Sequence, residues 1–245
     1  MPKKNNFLVF FVFASLLLFT TPLKAGFWEE IGKILRENSS GASLSESEIV
    51  KGLKEALLVG VKRAVSYLGK VENLLQNTEL RIPPPPKVAR VANFLRKVGF
   101  AKQVEDFERS LNAAAAQAVK EAYPVFKKAI SELTIRDAQR LLKGGDTAIT
   151  DYFRQKTSPE LYERFRPLVK EKLLEVGVTR KYQELFNSPY ARRYLKETNL
   201  DLEHYVTQAT LDRLFKLLAQ EEKRIRSDPA ARTTELLKKV FGQRD

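Results

Sequence analysis

The sequence predicts an all-α fold: a single multi-helix domain crossed by one polyproline strap and preceded by an N-terminal signal peptide. Three observations carry this expectation. No stretch alternates apolar and polar residues at period two, as a half-buried strand would. Helix caps and stops recur roughly every 10 to 25 residues, the spacing of a helical domain with short connections. The long run of periodicity is broken once by something no helix tolerates, the consecutive prolines 83–86. The layout read from these signals is a signal peptide over 1–25, a short amphipathic helix and linker over 26–45, and a helical domain over 46–242.

The N-terminus carries Lys3 and Lys4, then the apolar run FLVFFVFASLLLF over 7–19, then Pro22 and a small residue, Ala25, before Gly26. These are the parts of a secretory signal peptide. The apolar run is shorter than the ~20 residues a spanning helix needs, which favours cleavage near Ala25 over an uncleaved anchor. Phe27, Trp28, Ile31, Ile34 and Leu35 then repeat at helical spacing, and the Ser/Gly-rich residues 38–45 read as a linker.

Ser45-x-x-Glu48 is a capping box that should open the next helix. Ile49, Leu53, Leu57, Val61, Ala64, Val65 and Leu68 hold one of its faces. Residues 80–86 (LRIPPPP) form a polyproline II segment, whose flanking Leu80 and Ile82 suggest a strap laid across helices. A helix over 88–98 is closed by Gly99. A longer one runs from about Lys102 to Leu133, with small residues Ala113 to Ala116 for close approach and a kink at Pro124. Thr134-x-x-Asp137 caps the next helix, and Gly144-Gly145 ends it. The chain resumes at Asp146 or Thr147. Ser158-Pro159 reads as an N-cap and first helical position, opening a helix that bends at Pro167. Thr179 and Ser188-Pro189 begin short helices, Asp201 opens a long amphipathic one, and Asp228-Pro229 starts the last.

The 245 residues include no cysteine, which removes disulfides, thiolate metal sites and thiol catalysis. The single histidine, His204, makes a His-rich zinc site or a His-based triad improbable. Neither a cofactor nor a metal is therefore expected. The formal charge is +13, or +10 without Lys3, Lys4 and Lys24. It is uneven: residues 26–80 carry −1 and residues 154–196 carry +6. A basic field attracts anions, and export makes envelope polyanions better partners than nucleic acid.

No constellation of catalytic residues emerges. Gly144-Gly145-Asp146-Thr147 lacks the strand before it and the lysine after it that a phosphate loop requires. A helix stop followed by a new cap is the favoured reading, with an anion at the new helix N-terminus as the other. Glu221 and Glu222 are adjacent and diverge by about 100° on a helix, so they read as a solvated helix end. Arg224, Arg226, Arg232 and Thr233 form the candidate anion- or partner-binding cluster. The competing reading has those arginines staple two helices through Asp228. His204, beside Glu203 and Tyr205, reads as a surface residue. The tyrosines 152, 162, 182, 190, 194 and 205 fit either core packing or an amphipathic pocket.

Several stretches, taken together, resemble one bacterial family. They are GLKEALLVGVKRAVSYLGK at 52–70, RIPPP at 81–85, residues 126–142, GGDTAITDYFR at 144–154, and the long segment 201–242 that begins DLEHYVTQATLDRLFKLLAQEEKRIRSDP. The combination is similar to the exported proteins grouped as domain of unknown function 4197. The resemblance implies an all-helical protein of a Gram-negative-type cell envelope, and a periplasmic location with it. It implies no activity. The family pattern places an arginine after Asn112 and a glutamate in the next turn; here those positions are Ala113 and Ala116.

Three functions are compatible with this sequence. The first is a non-catalytic binding or scaffolding protein that meets an anionic envelope component or another envelope protein, with peripheral membrane contact. The second is a periplasmic carrier of a hydrophobic small molecule. The third is a hydrolase, which ranks last because no spacing brings two catalytic groups to one point.

Overall fold

A computed structural model describes residues 46–175, 177 and 201–227. Among these the regular structure is helical, without a strand. None of the described helices is long and apolar enough to cross a membrane. The expected signal peptide, the helix over 27–36, the linker, the helices begun by Thr179 and Ser188, and the helix from Asp228 onward lie outside the described residues.

Helix α1 (Glu46–Leu68) follows the predicted apolar periodicity and buries Leu53, Val61, Ala64, Val65 and Leu68. A short α2 (Val71–Gln76) leads into the strap. The Asn77 carboxamide turns the chain there, accepting from the amides of Glu79 and Leu80 at 3.0 and 3.3 Å. Leu80 and Ile82 are fully buried, so the strap is anchored by apolar side chains on either side of Arg81. Three of the four prolines lie in the extended segment. The fourth, Pro86, is the first residue of α3 (Pro86–Leu95), where its missing N–H has no helical partner to lose. A single π-type turn over Arg96–Phe100 joins α3 to α4 (Ala101–Ala118), and Gly99 supplies the φ of 99° that the reversal needs.

The expected long helix to Leu133 is two helices. A 3₁₀ turn at Val119–Glu121 separates α4 from α5 (Ala122–Ser131). Pro124 explains the position of the break, because a proline ring collides with the carbonyl four residues earlier. The disruption therefore falls one turn upstream of the proline. The Thr134/Asp137 capping box forms as expected and opens α6 (Ile135–Lys143).

The expectation of a new helix at Ser158-Pro159 is overturned. Helix α7 (Ala148–Glu175) runs through both Pro159 and Pro167. Its buried residues Ile149, Phe153, Thr157, Leu161, Phe165, Val169 and Leu173 recur every fourth position without interruption. That slanted row packs along α4 and α8 (Leu202–Ser227), and its burial outweighs the local preference for a break. The hydroxyls of Thr157 and Ser158 turn back onto the carbonyls of Phe153 and Arg154, both at 2.6 Å, instead of capping a new helix.

The core lies where α4, α7 and α8 meet, with α1 and α5 closing its other side. Phe126 packs on Phe153 and Phe215 with ring centroids 5.8 and 5.9 Å apart, joining α5, α7 and α8. Of the predicted small-residue run Ala113 to Ala116, the last three are buried and Ala113 is partly buried.

Candidate functional site

Two buried polar clusters interrupt this apolar interior, and both are built from residues far apart in the chain. The first holds the strap. On α4, Asn112 and Glu108 lie one turn apart among the buried apolar residues Val104, Phe107 and Leu111. The Asn112 carboxamide accepts from the Ile82 amide and donates to the Ile82 carbonyl, both at 2.9 Å. It thereby imitates a strand neighbour for a residue that has none. Its second amide hydrogen goes to the Glu108 carbonyl at 2.8 Å. The Glu108 carboxylate, only 3% exposed, takes one guanidinium on each oxygen, from Arg81 of the strap and Arg96 of the π turn. From α8, the Tyr205 hydroxyl donates to the Pro83 carbonyl at 2.9 Å and Arg213 reaches the Arg81 carbonyl at 3.3 Å. Burial pushes the Tyr205 phenol above its ordinary range, with Glu108 adding to the rise and Arg213 opposing it. The hydroxyl thus remains a donor.

The second cluster joins three helix ends. Glu222 of α8 places its carboxylate at the start of α7, accepting from the amides of Ile149 and Thr150 at 3.0 and 2.8 Å and from the Thr150 hydroxyl at 2.7 Å. One turn on, Arg226 donates to Glu222 Oε1 through Nε at 2.9 Å and Nη2 at 2.8 Å. The same guanidinium serves the end of α6. It donates to the carbonyls of Leu141, Leu142 and Gly144 at 2.9, 3.0 and 3.4 Å. An acid sits at a helix N-terminus and a base at a helix C-terminus, each matching the local backbone dipole.

This arrangement decides several sequence expectations. Glu222 and Arg226 are not at a solvated helix end: their side chains are 8% and 2% exposed. Arg226 is directed inward, so it does not contribute to an exposed anion-gripping cluster. Arg224 pairs with Glu221 at 2.7 Å, and Arg232 and Thr233 lie outside the described residues. The helix N-terminus after Gly144-Gly145 is capped by the protein's own carboxylate. Gly144 is extended there, with φ −71° and ψ −179°, and is required by proximity: a Cβ would lie 2.4 Å from that of Ala148.

The +6 region is represented in part by α7. Each described basic side chain there has an acidic neighbour. Arg154 faces Asp212, Lys156 faces Glu132, Arg164 faces Glu160 and Lys172 faces Glu175. Arg166 and Lys170 share Glu203, and Arg166 also reaches Asp201. The Lys156 hydrogen bond holds the Glu132 carboxyl below its usual range. His204 is exposed, with Nδ1 2.7 Å from the Tyr162 hydroxyl, and its amide is capped by Asp201 at 2.8 Å. No grouping of three or more His, Asp or Glu side chains suited to a metal occurs among the described residues.

The sequence reading did not single out Glu108, Arg81, Arg96 or Arg213. A signal existed for Glu108 and Asn112, since both are polar and stand one turn apart beside the apolar positions 104, 107 and 111.

Comparison with known proteins identifies the family. A family model described as "Protein of unknown function (DUF4197)" matches residues 43–242, and the chain belongs to that family. No curated protein and no solved structure matches it.

Proposed function

We propose that this family member is a non-catalytic binding or scaffolding protein of the cell envelope. In this reading it is exported behind a cleaved signal and acts in the periplasm, meeting an anionic envelope component or another envelope protein. One observation carries the reading. The buried charged side chains are committed to backbone groups and to each other. Glu222 accepts from two amides and a hydroxyl, Arg226 donates to three carbonyls, and Glu108 is shared by two arginines. A general acid or base must exchange protons with a substrate, and these groups are occupied in holding helices together. The hydrolase reading loses its best carboxylate pair, because Glu222 faces inward while Glu221 pairs with Arg224.

The test is binding of the purified protein to anionic envelope glycan and to acidic lipid vesicles across a salt series. Association that weakens as salt screens the basic charge supports the reading. Failure to find any salt-sensitive partner among fractionated envelope components would remove it.

A further inference from the structure

Among the described residues most large apolar side chains are covered; Ile135 and Leu174 are exposed singly, and the α3–α4 corner groups three exposed ones. Phe94, Val98 and Phe100 are 42%, 45% and 37% exposed, and the last four residues of the turn, 97–100, are all exposed. The corner is held stiffly. Val88, Val91, Ala92 and Leu95 bury the inner face of α3, while Arg96 turns inward to Glu108 and bonds Asn93 at 2.9 Å. The apolar side chains at its apex therefore project because the fold places them there.

The outer face of α3 has a second property. Lys87, Arg90 and Phe94 are spaced by three and four residues and all are exposed, so they form one stripe along the helix, and the exposed Lys97 and Val98 follow in the turn at its end. Residues 80–104 hold six basic side chains and no acidic one. Arg81 and Arg96 are neutralised by Glu108, and Lys102 pairs with Asp106 at 2.9 Å. Among the described residues no carboxylate pairs with Lys87, Arg90 or Lys97. This contrasts with α7, where every described cation has an acid beside it.

We infer that the α3–α4 corner docks the protein on a bilayer containing acidic phospholipid, Phe94, Val98 and Phe100 entering the headgroup boundary while Lys87, Arg90 and Lys97 meet lipid phosphates. The inference deepens the binding role proposed above and rests on it. Charge complementarity selects an anionic occupant. The exposure selects a bilayer: apolar side chains standing out from a turn enter a soft interface as they are, whereas a folded partner would need a matching pocket. Apolar side chains flanked by snorkelling cations on one helical face are the pattern of an interfacial contact.

The absence of cysteine makes a site-specific test direct. Val98→Cys, labelled with an environment-sensitive fluorophore, is mixed with phosphatidylcholine vesicles with and without phosphatidylglycerol. Lys51→Cys on α1 is the control position. The naturally processed chain is used, and thermal unfolding checks that each variant is folded. We expect a blue shift at position 98 but not 51, only with phosphatidylglycerol. Co-sedimentation should weaken at least about tenfold in the Phe94→Ser/Phe100→Ser double variant, and about fivefold for each of Lys87, Arg90 and Lys97 changed to glutamine. Three results would overturn the proposal. They are unchanged vesicle binding in the folded corner variants, equal binding to neutral vesicles, and self-association abolished by Phe94→Ser/Phe100→Ser without any vesicle binding. If vesicles are not bound but anionic glycan is, the corner is not a lipid dock and the broader binding role stands; if neither is bound, both readings fail.

Discussion

Truncating Glu222 to alanine should be among the most damaging single changes in this chain. The variant strips the first turn of α7 of acceptors for the amides of Ile149 and Thr150 and for the Thr150 hydroxyl. It also removes the carboxylate that pairs with the Arg226 guanidinium, which is 2% exposed. Hydrogen bonds to an ionised acceptor contribute about 1.5–3 kcal/mol each. Removing one member of a buried pair costs about 3–5 kcal/mol. The two figures overlap, because the same carboxylate makes all the contacts, so the expected loss is about 3–5 kcal/mol in total. For a domain of this size that lowers Tm by about 10 °C. Glu222→Gln keeps the shape and isolates the charge. Its amide hydrogens must face either Arg226 or the Thr150 donors, so it should lose a substantial part of the same stability. Urea unfolding followed by circular dichroism measures the loss. Amide exchange at Ile149 and Thr150 shows whether it originates at the cap. A fall in Tm below about 2 °C for Glu222→Ala, with those amides still protected, would refute the structural role and return Glu222 to the catalytic candidates.

Other perturbations test the remaining contacts. Asn112→Ala removes both bonds to Ile82 inside the protein, and denaturant unfolding should register a loss of about 2–4 kcal/mol. Tyr205→Phe deletes only the bond to Pro83 and should cost about 0.5–1.5 kcal/mol in the same assay. Gly144→Ala forces a Cβ to within 2.4 Å of the Ala148 Cβ and should lower Tm, whereas Gly145→Ala meets nothing within 4 Å and should leave it unchanged or slightly raised. Glu79, Glu132 and Asp137 are held below their ordinary range by bonds from Lys216, Lys156 and Thr134 respectively. In acid the unfolded chain therefore binds protons before the folded one. Their contribution is complete above the ordinary carboxylate range and is lost as pH falls through and below it, which a pH series of thermal melts will detect.

Local chemistry made much of the fold legible. Thr134 and Asp137 form the expected capping box because both partners lie within one turn, and Asp201 caps α8 for the same reason. The strap was legible because prolines forbid the alternative. Where the outcome depended on distant packing, local signals misled. Pro159 carries a strong start signal, yet the row from Ile149 to Leu173 keeps α7 continuous. Glu222 and Arg226 stand four apart, a spacing that on sequence alone is the same whether the pair is solvated or buried. What distinguishes them is contact with Thr150 and Leu141, 72 and 85 residues away. Arg81, Arg96 and Glu108 likewise converge only once the strap is laid on α4.

The placement of charge narrows where a binding surface can be. The loop at 144–147 had the makings of an anion site, a glycine pair before a helix N-terminus. Glu222 already occupies that end of α7, held by two amides, a hydroxyl and Arg226. An outside anion would have to displace a carboxylate tethered in the same chain, whose effective concentration no free ligand matches. The described half of the basic 154–196 region is no better placed, since each cation of α7 already faces an acid within 4.0 Å. A phosphate arriving there competes with an existing partner and gains only the difference. Lys87, Arg90 and Lys97 face no such competitor among the described residues, and they share the α3–α4 corner with the exposed Phe94 and Phe100. Attraction and apolar insertion therefore coincide at the α3–α4 corner, and a bilayer is the partner that rewards both at once.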